Sequence, residues 1–246
     1  MKLVTFRADL HLHTCLSPCA DNEMMPKAIV NEARRKGLDI IGICDHNSTR
    51  NVAAVRRACG DGEVAVIGGV EVCSEEEVHI LALFDEEESL HQMQQLIDVN
   101  LHGENNPEYF GEQLLCNECD DIIGFEDRML IGATELTVEE IVENIHRFGG
   151  LAIASHVDRE AFSLIGQLGF VPDGLEIDAC EISTLHSITE SRDSIPQISN
   201  YPIVRSSDAH RLEDIGRVSI AFTGTSPCAE ELSRALHGEN GREVVL

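Results

Sequence analysis

The stretch Asp9-Leu10-His11-Leu12-His13-Thr14 decides how the rest of the chain is read. It closes an apolar run that starts at residue 3 and suits an extended strand, whose side chains alternate between two faces. Asp9, His11 and His13 then share one face, and Ala8, Leu10 and Leu12 the other. Two imidazoles two residues apart can grip one metal site, and Asp9 is placed to orient one of them. A single histidine in a strand is usually a satisfied core residue, so the motif draws its meaning from what recurs further along.

Outward from it, short apolar runs follow at 38–45, 63–71, 78–84, 151–156, 174–181 and 202–208, with 218–223 as an eighth candidate strand. Helical patterns fill the gaps. Residues 26–36 begin on Pro26 and stop before Gly37, as start and stop signals require. Residues 49–58 follow Ser48 as a candidate cap, 88–100 are periodic, and 138–148 open on a capping box of Thr137 and Glu140. Such alternation argues for a parallel sheet, open or closed into a barrel. Residues 85–135 interrupt it with an acidic run, a polar stretch and poor periodicity. They are expected to be an insertion after the fourth strand of a single domain covering 1–246. Loops after barrel strands gather at the active end, which puts the insertion near the site's mouth.

Most of the strands carry a repeated signature at one end. Asp45-His46 closes the second, Glu71 the third, Ser155-His156 the fifth and Ser207-Asp208-Ala209-His210 the seventh, while His79 opens the fourth. Ionisable groups in apolar strands are costly unless paired or metal-bound. One case is unremarkable as a core residue; five or six at strand ends are not. Barrels and open α/β sheets build their sites at the carboxyl ends of their strands.

In this order the motifs resemble the PHP family, named for its polymerase-associated and histidinol-phosphatase members. The resemblance implies an α/β fold, a distorted (β/α)7 TIM-like barrel, holding two or three divalent ions, zinc, manganese or iron. It implies His11, His13, His46, Glu71, His79, His156, Asp208 and His210 as ligands, with one more from the loop after His13. In the family's pattern that ligand stands five residues before the helix-opening Pro, and counting back from Pro26 reaches Asp21. Cys19 is the rival, since a thiolate binds zinc or iron well.

Imidazole and carboxylate ligands together suit zinc, manganese or iron better than an oxygen-only magnesium site. Clustered ions activate water and neutralise phosphoryl oxygens, so the expected reaction is hydrolysis of a phosphate ester. The expected substrate is a small phosphorylated metabolite or nucleotide. Arg159 and Arg211, beside the ligand motifs, are candidates to bind its phosphate, and Asp45 to orient a ligand or shuttle a proton. Two alternatives stand beside this reading, a nuclease acting on single strands and a non-enzymatic metal-binding regulatory module.

Composition narrows the partners. A formal charge of −26, from 18 Lys and Arg against 44 Asp and Glu, repels polyanions, so tight duplex binding is not expected. Such an acidic surface also keeps a protein soluble. With no Trp and only 4% aromatic residues, the core must be aliphatic. No run approaches bilayer-spanning length and the first residues lack a secretory signal, so a cytoplasmic location is expected. Nine scattered cysteines argue against a disulfide framework. Cys44, Cys59, Cys73 and Cys180 read as small core residues, and Cys116-x-x-Cys119 as ordinary cysteines of the insertion, with half of a metal or redox site as the alternative. His91, His102, His146, His186 and His237 lack a matching context and read as surface or core residues.

Overall fold

β1 (Val4–Leu12) begins the architecture, followed by α1 (Pro26–Lys36), β2 (Ile40–Ile43), α2 (Val52–Cys59), β3 (Ala65–Cys73) and β4 (His79–Phe84). Then come α3 (Glu87–Asn100), α4 (Pro107–Phe110), β5 (Leu114–Cys116), β6 (Ile122–Phe125), α5 (Val138–Arg147), β7 (Leu151–Ala154) and α6 (Leu164–Leu168). β8 (Ala179–Ile182), α7 (Ile188–Ser194), β9 (Ile203–Arg205), β10 (Ile220–Gly224), α8 (Ala229–Leu236) and β11 (Val244–Val245) complete it. This computed structural model describes residues 2–60, 62, 64–183 and 188–246, and not the side chain of Ile188. His186 lies outside the described residues.

Nine strands form one sheet in the order β11-β10-β1-β2-β3-β4-β7-β8-β9, and β5 and β6 form a separate hairpin. The sheet nearly closes on itself. The chain beyond β9 returns to β1 through a parallel bridge between Leu12 and Ala209, with His13 N donating to Ala209 O at 3.0 Å. The seven strands from β1 to β9 are thus a distorted barrel, and the eighth candidate became β10, antiparallel to the lower half of β1.

The sheet is mixed and not wholly parallel. β4 runs antiparallel to both β3 and β7. Between β3 and β4 the chain makes a tight turn, with Ser74 N bonded to Val78 O and Glu77 at φ 60°. So short a connection cannot hold the crossover that parallel neighbours need. The reversal brings His79, the first residue of β4, opposite Cys73 at the end of β3. It also sends the insertion off from the opposite end of the barrel. α3 carries it back, a length of about 21 Å, with Leu90, Met93 and Ile97 buried along the way. The later part of the insertion then docks beside β2 and β3. Asn47 Nδ2 donates to Leu130 O and Gly132 O, and Thr134 Oγ1 to Cys73 O.

Side chains from β2, β3, β4, β7, β8 and β9 fill the barrel interior with an aliphatic core including Ile40, Ile67, Leu81, Ile153, Ala179 and Val204. Period two places Glu71, His79 and Glu181 on that same inner face. A second, larger core joins the outer face to α1, α2, α3 and α5. α5 has the expected capping box, whereas α2 starts on Asn51, whose side chain bonds Thr14 and Leu114 and does not cap the helix.

β1 departs from the strict alternation expected of it. Its register with β2 slips between Asp9 and Leu12, a β-bulge. Leu10 therefore joins Ala8 in the inner core while Leu12 packs in the outer one. A bulge re-aims the side chains that follow it, and here it turns His11 and His13 inward above an apolar floor. Gly42 makes room for it, because a Cβ there would lie 2.2 Å from Leu10 O.

Candidate metal centre

Glu71 is the hub of the site. Its Oε1 lies 3.1 Å from His79 Nδ1, 3.2 Å from His156 Nε2 and 3.5 Å from His11 Nε2. Its Oε2 lies 3.0 Å from His46 Nδ1 and 3.5 Å from His13 Nε2. Asp208 faces it, with Oδ1 3.2 Å from His13 Nε2 and 3.4 Å from His11 Nε2. His210 completes the rim, its ring 4.1 Å from that of His13 and 27° from parallel. Three overlapping groups have ligand atoms within 4.8 Å of one another: His11, His13 and Asp208; His46, Glu71 and His79; His13, His46 and His210. His156 and Asp208 adopt φ values of 29° and 51°, a conformation that side chains resist and that is typically retained at functional sites.

These donors fit metal ions. Glu71 Oε1 and His79 Nδ1 are buried and 3.1 Å apart, yet neither makes a hydrogen bond. Atoms so close but misaligned are converging on a shared point instead of on each other. The far ring nitrogens of His13 and His11 are held from behind. Ser17 Oγ donates to Asp45 Oδ1 at 2.7 Å, so it accepts from His13 Nδ1 at 2.9 Å. That fixes the tautomer and leaves the lone pair of Nε2 facing the carboxylates. Glu181 does the same for His11, accepting from Nδ1 at 3.0 Å.

Charge inside the cluster is strongly organised. Burial alone would raise the pKa of Glu71, but His79, His11 and His46 hold it well below the usual carboxylate range. Burial would lower His46, but Glu71 overrides it and pushes the ring up to about 10. His13 is held low by burial and by its neighbours His210 and His46. The carboxylates are therefore ready as ligands, while His46 must give up its proton to bind.

Eight of the nine expected ligands converge; Asp21 does not. It is exposed, with Oδ2 3.6 Å from Arg211 Nε. Cys19, though exposed as a residue, has its thiol against His46 and His210. The protein packed round the sulfur would push its pKa up; hydrogen bonds with the two rings reverse this and bring it to about 6. Arg159 lines a cavity of about 280 Å³ over the cluster and donates to Asp208 Oδ2 at 2.7 Å. Arg211 stays exposed. Both carboxylate oxygens of Asp45 are engaged by Thr14 and Ser17, which makes it a positioning group. Asp9 orients no histidine: it ties down the backbone at Ser207 and Gly216, and burial raises it to about 6.

Sequence reasoning missed Glu181, although it stands at an apolar strand end as Glu71 does. It also passed over Ile131 and Phe162, which line the cavity, the latter stacked on His79 at 4.8 Å; neither carries a sequence signal. Cys116 packs against Cys15, with sulfurs 3.5 Å apart, while Cys119 is exposed, so the CxxC pair does not converge. His91, His102, His146 and His237 have partners elsewhere. Among the described residues no helix is long and apolar enough to cross a membrane.

Histidines and carboxylates gathered at one end of such a barrel define the metal-dependent hydrolases. The chain belongs to the PHP family, whose PHP domain model matches residues 9–159 and whose PHP-associated model matches 197–240. It is 23% identical to the uncharacterized protein YqxK of Bacillus subtilis, over 97% of this chain and 63% of that protein. Its fold is similar to the lesion-specific endonuclease PfuEndoQ from Pyrococcus furiosus, with a TM-score of 0.73, 22% identity and coverage of 98% of this chain and 58% of that one. A second endonuclease Q structure, in complex with a 27-mer duplex bearing an abasic lesion at the active site, matches with TM-score 0.68, 20% identity and the same coverage. The chain thus spans about three fifths of the length of these relatives.

That last likeness overturns the expectation of a small phosphorylated substrate and of no duplex partner. That endonuclease Q structure holds a duplex substrate with an abasic lesion at its active site. Net charge is a poor guide to such a partner because it sums the whole surface, whereas a phosphate backbone meets one face, where divalent ions, if held there, would add positive charge.

Proposed function

We propose that this chain is the hydrolytic barrel of a metal-dependent nuclease that cleaves phosphodiester bonds in DNA. The observation that carries the reading is the arrangement around Glu71: five imidazoles and Asp208 gathered beneath an open cavity that also presents a guanidinium. The nucleic-acid class rests on the likeness to endonuclease Q over nearly the whole chain.

His11, His13, His46, Glu71, His79, His156, Asp208 and His210 would hold two or three ions, zinc, manganese or iron, as the mixed donors favour. Bound there, the ions would supply water activation and neutralise charge on the phosphoryl oxygens. The chain's own residues do the rest. Ser17, Asp45 and Glu181 hold His11 and His13 in register. Arg159, anchored on Asp208, faces the cavity and offers further N–H groups to a phosphate oxygen. Phe162, stacked on His79, walls one side against water.

The test is strand scission by protein loaded with zinc or manganese. End-labelled substrates would be an undamaged duplex, a duplex with one abasic site, and a single strand. Cleavage of at least one, lost in Asp208→Ala, is expected. No cleavage of any of them by protein shown to hold its metals would overturn the reading.

A further inference from the structure

A short loop is pinned at both ends over the histidines. At one end Ser17 Oγ accepts from His46 N at 3.1 Å and from His13 Nδ1 at 2.9 Å. At the other, Asp21 N donates to His210 O at 2.9 Å. Cys19 is the residue midway, so the two anchors hold it beside His46 and His210, whose rings act on its thiol. Independently, the ring nitrogens of His13, His46 and His210 already form one of the groups able to hold an ion. Asp21, which family spacing puts forward as the loop ligand, is turned outward to Arg211.

We propose that Cys19 is a metal ligand, binding as a thiolate one ion of the centre together with His46 and His210. The inference rests on the metal-centre reading above and not on the identity of the substrate. The thiol gives its proton to solvent as the ion binds. Sulfur is a soft donor, so this position selects zinc or iron over manganese, unlike a position made of imidazole and carboxylate alone. Because Cys19 is exposed, this ion lies at the solvent edge of the centre.

Cobalt(II) loaded onto the full chain reports the ligand directly. A thiolate ligand gives a near-ultraviolet sulfur-to-cobalt charge-transfer band, which imidazole and carboxylate do not. The band is expected in the unaltered protein and in Asp21→Asn, and absent from Cys19→Ser. Cys19→Asp guards against misfolding: it should bind the same number of ions without the band. In chelator competition, one zinc ion of Cys19→Ser should bind at least about 100-fold more weakly, since losing even an outer-sphere partner costs about 10–100-fold. A cobalt-loaded protein without the band, or a band that survives in Cys19→Ser, would overturn the proposal. A band in a protein that cuts no DNA would support it and count against the nuclease reading alone.

Discussion

Ser17 illustrates how much of the centre depends on residues that touch no ion. It links Asp45 to His13 and to the backbone of His46, so one hydroxyl sets two ligands. Ser17→Ala leaves Asp45 buried with one partner fewer and His13 free to take either tautomer. Metal affinity should fall about 10–100-fold, as for other outer-sphere partners, with little change in the circular dichroism spectrum. Chelator competition on Ser17→Ala and Ser17→Thr measures this, the threonine variant regaining most of the loss. Unchanged affinity in Ser17→Ala would show that Asp45 and Ser17 do not position His13.

Elements are tied into the barrel at their ends, and the last turn of α5 shows how, at the end of the barrel away from the site. His146, in its last turn, bonds Asp178 Oδ2 at 2.9 Å, and that oxygen also accepts from Ala152 N in β7. The hydrogen bond to Asp178 raises the His146 pKa above its ordinary value. A raised histidine contributes stability that is fully present below the unfolded pKa of about 6.5 and is lost as pH rises through the folded value. The pair is partly exposed, so it contributes under about 1 kcal/mol. Urea melts of the unaltered protein and His146→Gln should therefore differ at pH 5.5 and converge in the alkaline range. A gap that widens with pH would reverse the assigned sign.

At the scale of the whole molecule, the centre leaves Glu71 Oε1, His79 Nδ1 and His156 Nδ1 buried without hydrogen bonds and sets His13 against His46 and His210, and bound cations would relieve both. Metals should therefore stabilise the entire barrel. Each ion held at about 100 times its dissociation constant adds about 2.7 kcal/mol. Thermal melting with zinc and with excess chelator measures the effect, and chelator should lower the Tm by several degrees. Equal melting temperatures would mean that the folded protein has no preference for bound metal.

Local chemistry wrote much of this protein plainly. Pro26, Gly37 and the Thr137–Glu140 capping box marked helix ends because caps depend on adjacent residues alone. Apolar runs marked every strand of the barrel, and strand-end histidines and carboxylates marked the eight side chains that converge at the candidate centre, because burying such groups is costly wherever the strands meet. What depended on distant partners was not legible. The bulge that turns His11 and His13 inward exists because β1 and β2 slip register beside Gly42. The placement of Cys19 over the histidines, with Asp21 outside, follows from the anchors of a loop on Ser17 and His210, residues far apart in sequence. The direction of β4 and the return of the insertion through α3 were settled by how strands pair, which no single segment encodes. Which face meets a substrate is likewise a property of the folded surface, and a net charge of −26 summed along the chain carries no information about it.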